Sequence, residues 1–407
     1  MISDDNLATV VDDVFDEDGF LPDVSRFVDL TQHEIQALKT TYNLADAHTH
    51  QSQSRAQRKI VNSLPQLWYE SEDNQQAHAE ERFLDAFFRL HKQPTAAAMS
   101  KTLLSYSASV STMVAAMYLQ QRDMSVSLVT PCFDNLVDLL KHMGVALRAF
   151  PEESLHEVGT LYDSMTETVA TDAVYVVDPN NPTGFTLLKD GKDGFAELIR
   201  FCKDTGKLLI LDFCFASFVL CSDDLDRVDI YRMLEESGVS YLAIEDTGKT
   251  WPVQDAKAAM LTASEDIRED IYNIHTAVLL NVSPFVLKFL TRYVEDSIED
   301  GFASVSDVIR ENRATARTAL AGTMLEYQAP VVDTSVAWFR ISDPDTTASD
   351  LQAHLFEHEI YLLPGTFFHW DEPERGERFV RIALARKPDE FAAAMTAMRE
   401  VLCRDDD

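Results

Sequence analysis

The chain has 407 residues, a formal net charge of −33 and 46% hydrophobic residues, enough to bury a large core in two or three lobes. The acidity argues against nucleic acid as a partner, and no run approaches the ~18 apolar residues that span a bilayer. The five cysteines form no C-x-x-C pair and read as reduced thiols of a cytoplasmic protein; the acidic start Met1–Asp5 lacks the layout of a signal peptide.

Residues 1–29 are acidic and are expected to form a mobile arm. Leu30-Thr31-Gln32-His33-Glu34 reads as a helix start, with Thr31 as N-cap and Glu34 closing a capping box. His48 follows in a polar stretch with His50, where histidines ordinarily face solvent. From Ala77 to Leu90 the spacing of Phe83, Phe87 and Leu90 predicts a helix with these residues in the core. Leu103–Tyr106 reads as a strand entering Ser107-Ala108-Ser109, and an apolar helix follows over Val110–Leu119. Small hydroxyl residues at a helix start serve ordinary capping, and they also make a phosphate site from backbone N–H groups and the helix dipole. Val126–Val129 is the next strand, with Phe133 just beyond it.

The central stretch is the most informative. Val174–Val177 is a buried strand that runs into the dense turn signal Asp178-Pro179-Asn180-Asn181-Pro182-Thr183-Gly184. Leu208–Leu211 is a second strand, ending in Asp212 with Phe215 shortly after, and Tyr241–Ile244 is a third, with Lys249 beyond it. Three strands therefore deliver Asn181, Asp212 and Lys249 at their C-terminal ends, where open α/β sheets place ligands. A lysine amine can form a Schiff base with an aldehyde, provided its surroundings fix it and keep it partly deprotonated. After Pro284 a long helical connection leads to a smaller α/β lobe. That lobe has a strand over Val336–Ile341, a turn at Leu363-Pro364-Gly365, and Arg381 in the last clear strand. There is no internal repeat and no metal-ligand cluster in the pattern.

Asn181-Pro182-Thr183-Gly184, Asp212-x-x-Phe215 and Lys249, in this order, resemble the fold-type I pyridoxal-phosphate enzymes of the class I/II aminotransferase kind. The segments Asn43–His48, Glu245–Pro252 and Phe379–Leu384 are similar to the oxygen-dependent arginine oxidases and hydroxylases of enduracididine-type natural product pathways. The likeness runs from about Leu30 to the C-terminus. It implies an α/β fold with a large domain, built on a mostly parallel sheet, and a smaller C-terminal α/β domain. The expected division is 1–65 for an arm and helix covering the site, 66–285 for the cofactor domain and 286–407 for the small domain.

The same resemblance implies pyridoxal 5'-phosphate as cofactor, with Lys249 as the catalytic lysine, Asp212 on the ring nitrogen and His48 (not His50) as the catalytic histidine. Ser107, Ala108, Ser109 and Lys257 would hold the phosphate, and Phe133, Asn181 and Phe215 would surround the ring. Thr31, Glu34 and Asp246 would bind the guanidinium of L-arginine, and Arg381 its α-carboxylate. Asp246 stands where aminotransferases usually carry a phosphate-binding serine, so it is expected to point away from the phosphate. Phe215 replaces the usual tyrosine, and Lys257 an arginine. The implied reaction takes L-arginine and dioxygen to a 2-oxo acid (4-hydroxylated, desaturated or plain) with hydrogen peroxide and ammonia, in a homodimer. An ordinary aminotransferase and a cyclase of an arginine derivative are the alternatives within the fold. A transcription regulator on the same fold needs a basic DNA-binding domain, which the acidic N-terminal arm does not offer.

Overall fold

The computed structural model describes residues 29–72 and 75–403, so the acidic arm expected over residues 1–29 lies, but for Asp29, outside the described residues. The described chain opens with helix Leu30–Ala37 and a short strand, β1 (Tyr42–Asn43). The helix expected over Ala77–Leu90 spans Gln76–Leu90. It buries Ala79, Phe83, Phe87 and Phe88, while Leu90 is partly buried against the same core.

The apolar runs of the sequence become neighbours in a seven-stranded sheet of β2 (Thr102–Ser105), β3 (Val126–Thr130), β4 (Leu147–Pro151), β5 (Ala173–Val177), β6 (Leu208–Asp212), β7 (Tyr241–Asp246) and β8 (Ala259–Ala263). Their spatial order is β2-β8-β7-β6-β5-β3-β4. Strands β3 to β7 pair in parallel, and β8 runs antiparallel to both β2 and β7. Every residue of β5, β6 and β7 is buried, because helices cover both faces of a parallel sheet. That two-sided burial is why these strands read as unbroken apolar runs rather than as an alternation. Helices Asp193–Thr205 and Ile230–Ser237 make the crossovers from β5 to β6 and from β6 to β7, so the three strands end side by side at one edge.

Helices Pro284–Asp300 and Ala303–Ala319 lead to the second sheet, formed by β9 (Leu325–Gln328), β10 (Val336–Ile341), β12 (Leu363–Pro364) and β13 (Phe379–Ala383) in the order β12-β13-β10-β9. Leu363-Pro364 is therefore an edge strand on β13 and not the expected turn; the bend follows at Gly365–Phe367. Proline is tolerated at a sheet edge because its missing N–H is not needed by a neighbour there. β11 (Ile360–Tyr361) pairs in parallel with β1. A separate apolar cluster of Leu30, Ala37, Ala45, Trp338, Phe356, Tyr361, Leu363 and Phe368 fastens the N-terminal segment to this lobe. Among the described residues no helix is long and apolar enough to cross a membrane.

Candidate active site

The C-terminal ends of β5, β6 and β7 face a cavity of about 220 Å³. It is lined by Thr31, Glu34, His48, Ser107, Ala108, Ser109, Phe133, Asn181, Asp212, Phe215, Asp246, Lys249 and Lys257, brought together from positions more than two hundred residues apart. Arg381 does not line it. Its guanidinium is fully buried just behind, where Nη1 donates to Asn181 Oδ1 at 3.2 Å.

The turn carrying Lys249 is pinned on both sides. Thr247 Oγ1 exchanges hydrogen bonds with the Ala258 amide and carbonyl, Thr250 Oγ1 donates to Ser217 Oγ at 3.0 Å, and the buried Trp251 donates from Nε1 to Ser297 Oγ at 2.9 Å. A Cβ on Gly248 would come within 2.7 Å of Asp246 Oδ1 and 2.8 Å of Lys257 Cδ, so both side chains pack closely over this turn and would have to shift for any larger residue. Asp212, the last residue of β6, accepts from the Cys214 amide at 2.9 Å. Burial pushes its carboxyl up, against the lowering hydrogen bonds from Cys214; Asp246 adds to the rise and Lys249 opposes it. The Asn181 loop is fixed by Asp178, which accepts from Thr186 Oγ1 at 2.6 Å and from the Leu187 amide at 2.7 Å.

Helix Ala108–Gln121 starts at the far wall. Ser107 is its N-cap and accepts from the Val110 amide. Asp246 does not turn away from this helix start as expected: its Oδ2 accepts from the Ala108 amide at 2.9 Å, while the Gly248 amide donates to Oδ1. The first amides of a helix have no partner within it, and a neighbouring carboxylate satisfies one of them. Lys257 Nζ pairs with Asp255 Oδ1 at 3.1 Å.

The N-terminal segment supplies the opposite wall. Thr31 is not the N-cap of its helix: Asp29 is, accepting from the Gln32 amide at 2.8 Å, so the capping box at Thr31 and Glu34 does not form. With Asp29 in the capping position neither Thr31 nor Glu34 serves as a cap, and both side chains line the cavity. The Leu30 amide donates to Asp134 Oδ2 at 2.8 Å. Burial pushes the Asp134 carboxyl up to about 7, the Leu30 hydrogen bond opposes this, and Asp138, Glu34 and Asp29 add to it. Glu34 reaches across to Arg381, with Oε1 3.4 Å from Nη2.

His48 lines the cavity while His50 does not. Its Nδ1 lies 3.2 Å from Asp46 Oδ1 and its Nε2 3.7 Å from Asp255 Oδ1; His50 Nε2 reaches the same Asp46 oxygen at 2.9 Å. Burial alone would raise the Asp46 carboxyl, but hydrogen bonds from His48 and His50 and the charge of Arg386 outweigh it and hold it well below the usual carboxylate range. Arg386 ties the segment down by donating to the carbonyls of Asn43 (2.7 Å), Asp46 (2.8 Å) and His48 (3.1 Å). Sequence reasoning assigned nothing to Arg386, Asp134 or Asp255. The signal for Arg386 was its place just after the Phe379–Leu384 motif; for Asp134 and Asp255 no local pattern exists.

A family model for class I and II aminotransferases matches residues 44–397. The chain belongs to this family. Among solved structures, MppP soaked with the product 2-ketoarginine is similar at 35% identity, covering 88% of this chain and 99% of that one, with a TM-score of 0.80. YbdL from Escherichia coli, described with a methionine aminotransferase function, matches at 18% identity over 94% of this chain and 100% of its own, with a TM-score of 0.72. The α-aminoadipate aminotransferase LysN from Thermus thermophilus matches at 13% identity over 93% and 95%, with a TM-score of 0.73; at such identities the likeness shows the fold alone. No match is found among the curated proteins. The protein is thus a pyridoxal-phosphate-dependent enzyme of the aminotransferase family with the fold-type I architecture. The residues fit that cofactor. The buried Asp212 carboxyl, raised by burial, faces the cavity and lacks the cationic donor that a pyridinium N–H provides. Ser107, Ala108 and Ser109 at a helix start and the cation Lys257 also line the cavity, hydroxyl and cationic groups of the kind that suit a phosphate.

Proposed function

We propose that the protein is a pyridoxal-phosphate- and dioxygen-dependent oxidase of L-arginine. The observation that carries this reading is the charge complement of the cavity: carboxylates on its wall and one buried guanidinium behind it. Glu34 and Asp246 offer carboxylates on the cavity wall, and Arg381 lies behind Asn181. An amino acid with an α-carboxylate for Arg381 and a distal guanidinium for the carboxylates matches both ends. The likeness to MppP, whose structure was soaked with the product 2-ketoarginine, supports the same substrate class.

Pyridoxal phosphate supplies, when bound, an aldehyde for the amine and a ring that withdraws electrons. Lys249 would hold it, and its amine would take the proton from the substrate Cα. Asp212 keeps a proton on the ring nitrogen. Asp246, Thr31 and Glu34 would receive the guanidinium. Lys257, Ser107 and Ser109 complete the grip on the phosphate, and Phe133 and Phe215 flank the ring. His48, aligned by Asp46 and Asp255, holds a water for addition at the side chain. L-Arginine, dioxygen and water give the 2-oxo acid, ammonia and hydrogen peroxide. For the 4-hydroxylated product, two dioxygen and two water molecules give one ammonia and two hydrogen peroxide.

Oxygen uptake by the cofactor-loaded protein, given L-arginine and no 2-oxo acid, tests the reading. Uptake with release of peroxide and ammonia is expected, and His48→Ala shifts the product towards the non-hydroxylated 2-oxo acid. Turnover that appears only when a 2-oxo acid acceptor is added identifies an aminotransferase instead.

A further inference from the structure

We propose that Glu34 and Arg381 form an exchangeable ion pair that substrate must take apart from both ends at once. The α-carboxylate of the substrate replaces Glu34 on Arg381, and the released Glu34 receives the distal cation. The identity of that cation as a guanidinium rests on the function proposed above; the exchange at Arg381 does not.

The argument begins with how incompletely the pair is made. Charge-assisted bonds between a guanidinium and a carboxylate run at about 2.7–2.9 Å and favour two parallel contacts. Glu34 makes one contact of 3.4 Å, on Nη2. The neighbouring Nε of Arg381 is buried and has no hydrogen-bond partner among the described residues. Nε and Nη2 form one edge of the planar fork, so Glu34 occupies half of a bidentate carboxylate site and leaves the other half unsatisfied. The opposite side of the guanidinium is committed, with Nη1 to Asn181 Oδ1 and Nη2 also donating to the Ala45 carbonyl. A carboxylate across Nε and Nη2 satisfies the orphaned donor and takes the place of Glu34. Glu34 belongs to the helix Leu30–Ala37, whose first amides are held by Asp29 and Asp134, so its side chain is free to swing without unmaking the helix.

Charge accounting then explains selectivity. Arg381 is fully buried and the Glu34 side chain is 13% exposed, so neither charge can be left alone cheaply. A substrate with a carboxylate and a distal cation converts one ion pair into two. A carboxylate without the cation strands Glu34, and a cation without the carboxylate cannot free Glu34 from Arg381. The pair thus requires both groups in one molecule, and Glu34 acts against the wrong ligand as well as for the right one.

The test is a spectral binding titration of the cofactor-loaded protein under anaerobic conditions, with L-arginine, its uncharged analogue L-citrulline, and L-norvaline, in the native chain and in Glu34→Gln. The exchange predicts that Glu34→Gln weakens L-arginine and tightens L-norvaline and L-citrulline, each by about tenfold or more, the scale of one hydrogen bond to a charged group. An L-norvaline affinity that stays the same or falls in Glu34→Gln, with L-arginine weakened, overturns the exchange and leaves Glu34 as a plain guanidinium contact. L-Arginine that binds the native protein no better than L-norvaline removes the proposed substrate, while the norvaline comparison still decides the exchange. Glu34→Ala serves as the second variant, and the thermal midpoint without amino acid checks folding. It is expected to fall in both variants and to recover more on adding L-norvaline than in the native chain.

Discussion

The two walls of the cavity are built by different means. Asn181, Asp212 and Lys249 stand at the ends of adjacent parallel strands, each buried on both faces and bonded to its neighbours along its length. Thr31, Glu34 and His48 come from a segment with one short helix and a two-residue strand, held by a brief pairing with β11, an apolar cluster and, beside the cavity, by side chains: Asp134 on Leu30, Arg386 on three carbonyls, Asp46 on His48. A backbone ladder fixes position cooperatively, whereas a handful of ionisable side chains fixes it only while each keeps its charge and partner. The first wall suits the chemistry common to the family, and the second suits the choice of substrate, because it can change without disturbing the sheet.

That contrast can be broken at either wall. The largest effect is expected for Lys249→Ala, which should lower turnover by about 10⁴-fold or more, as loss of a covalent catalytic group does. The strands around it should be untouched, so its thermal midpoint should match the native chain. Arg386→Ala should do the reverse and act on stability. It leaves the buried Asp46 without its cationic partner, at a cost of about 3–5 kcal/mol for a broken buried pair, read as a lower urea midpoint. The depressed Asp46 carboxyl contributes stability above the usual carboxylate pKa and loses it as pH falls through its folded value; in Arg386→Ala that contribution should fail at a higher pH.

The smallest effect concerns docking of the helix Leu30–Ala37, followed by hydrogen exchange of its amides. Asp134 is raised to about 7, so its neutral form is favoured in the docked state and its contribution is lost as pH rises from about 4 to 7. His33, on the buried face of the same helix, is lowered to about 4 by burial, against a raising effect of Asp29, and its contribution is lost as pH falls from 6.5 towards that value. The two slopes oppose, so protection should change little between pH 4 and 7 in the native chain. In Asp134→Asn the His33 slope should stand alone, with protection rising with pH; a flat profile there would show that Asp134 is not the opposing group.

The sheet-borne half of the site was legible because its evidence is local. A two-sided buried strand is a run of apolar residues, and the residue ending it lies at the sheet edge. The strands at Val174, Leu208 and Tyr241 therefore placed Asn181, Asp212 and Lys249 without any knowledge of their neighbours. The other half was read with errors of one kind. Thr31 and Glu34 have the spacing of a capping box, and only the position of Asp29 shows that the helix starts earlier and leaves both free. Asp246 was expected to avoid the phosphate donors, yet it accepts from the Ala108 amide, 138 residues away in sequence. Leu363-Pro364 looks like a turn until β13 is laid beside it.

The sequence by itself determined the order of the strands' signals and the lysine after the third. Those follow from periodicity and spacing, which depend only on near neighbours in the chain; the family came from the resemblance of the motifs and from the family model that matches residues 44–397. The tertiary structure decided which partner each polar group takes: Asp134 for Leu30, Arg386 for Asp46, Arg381 for Glu34. Such choices depend on distance and burial between residues far apart in sequence, and a carboxylate's partner is whichever donor the fold leaves unsatisfied within reach.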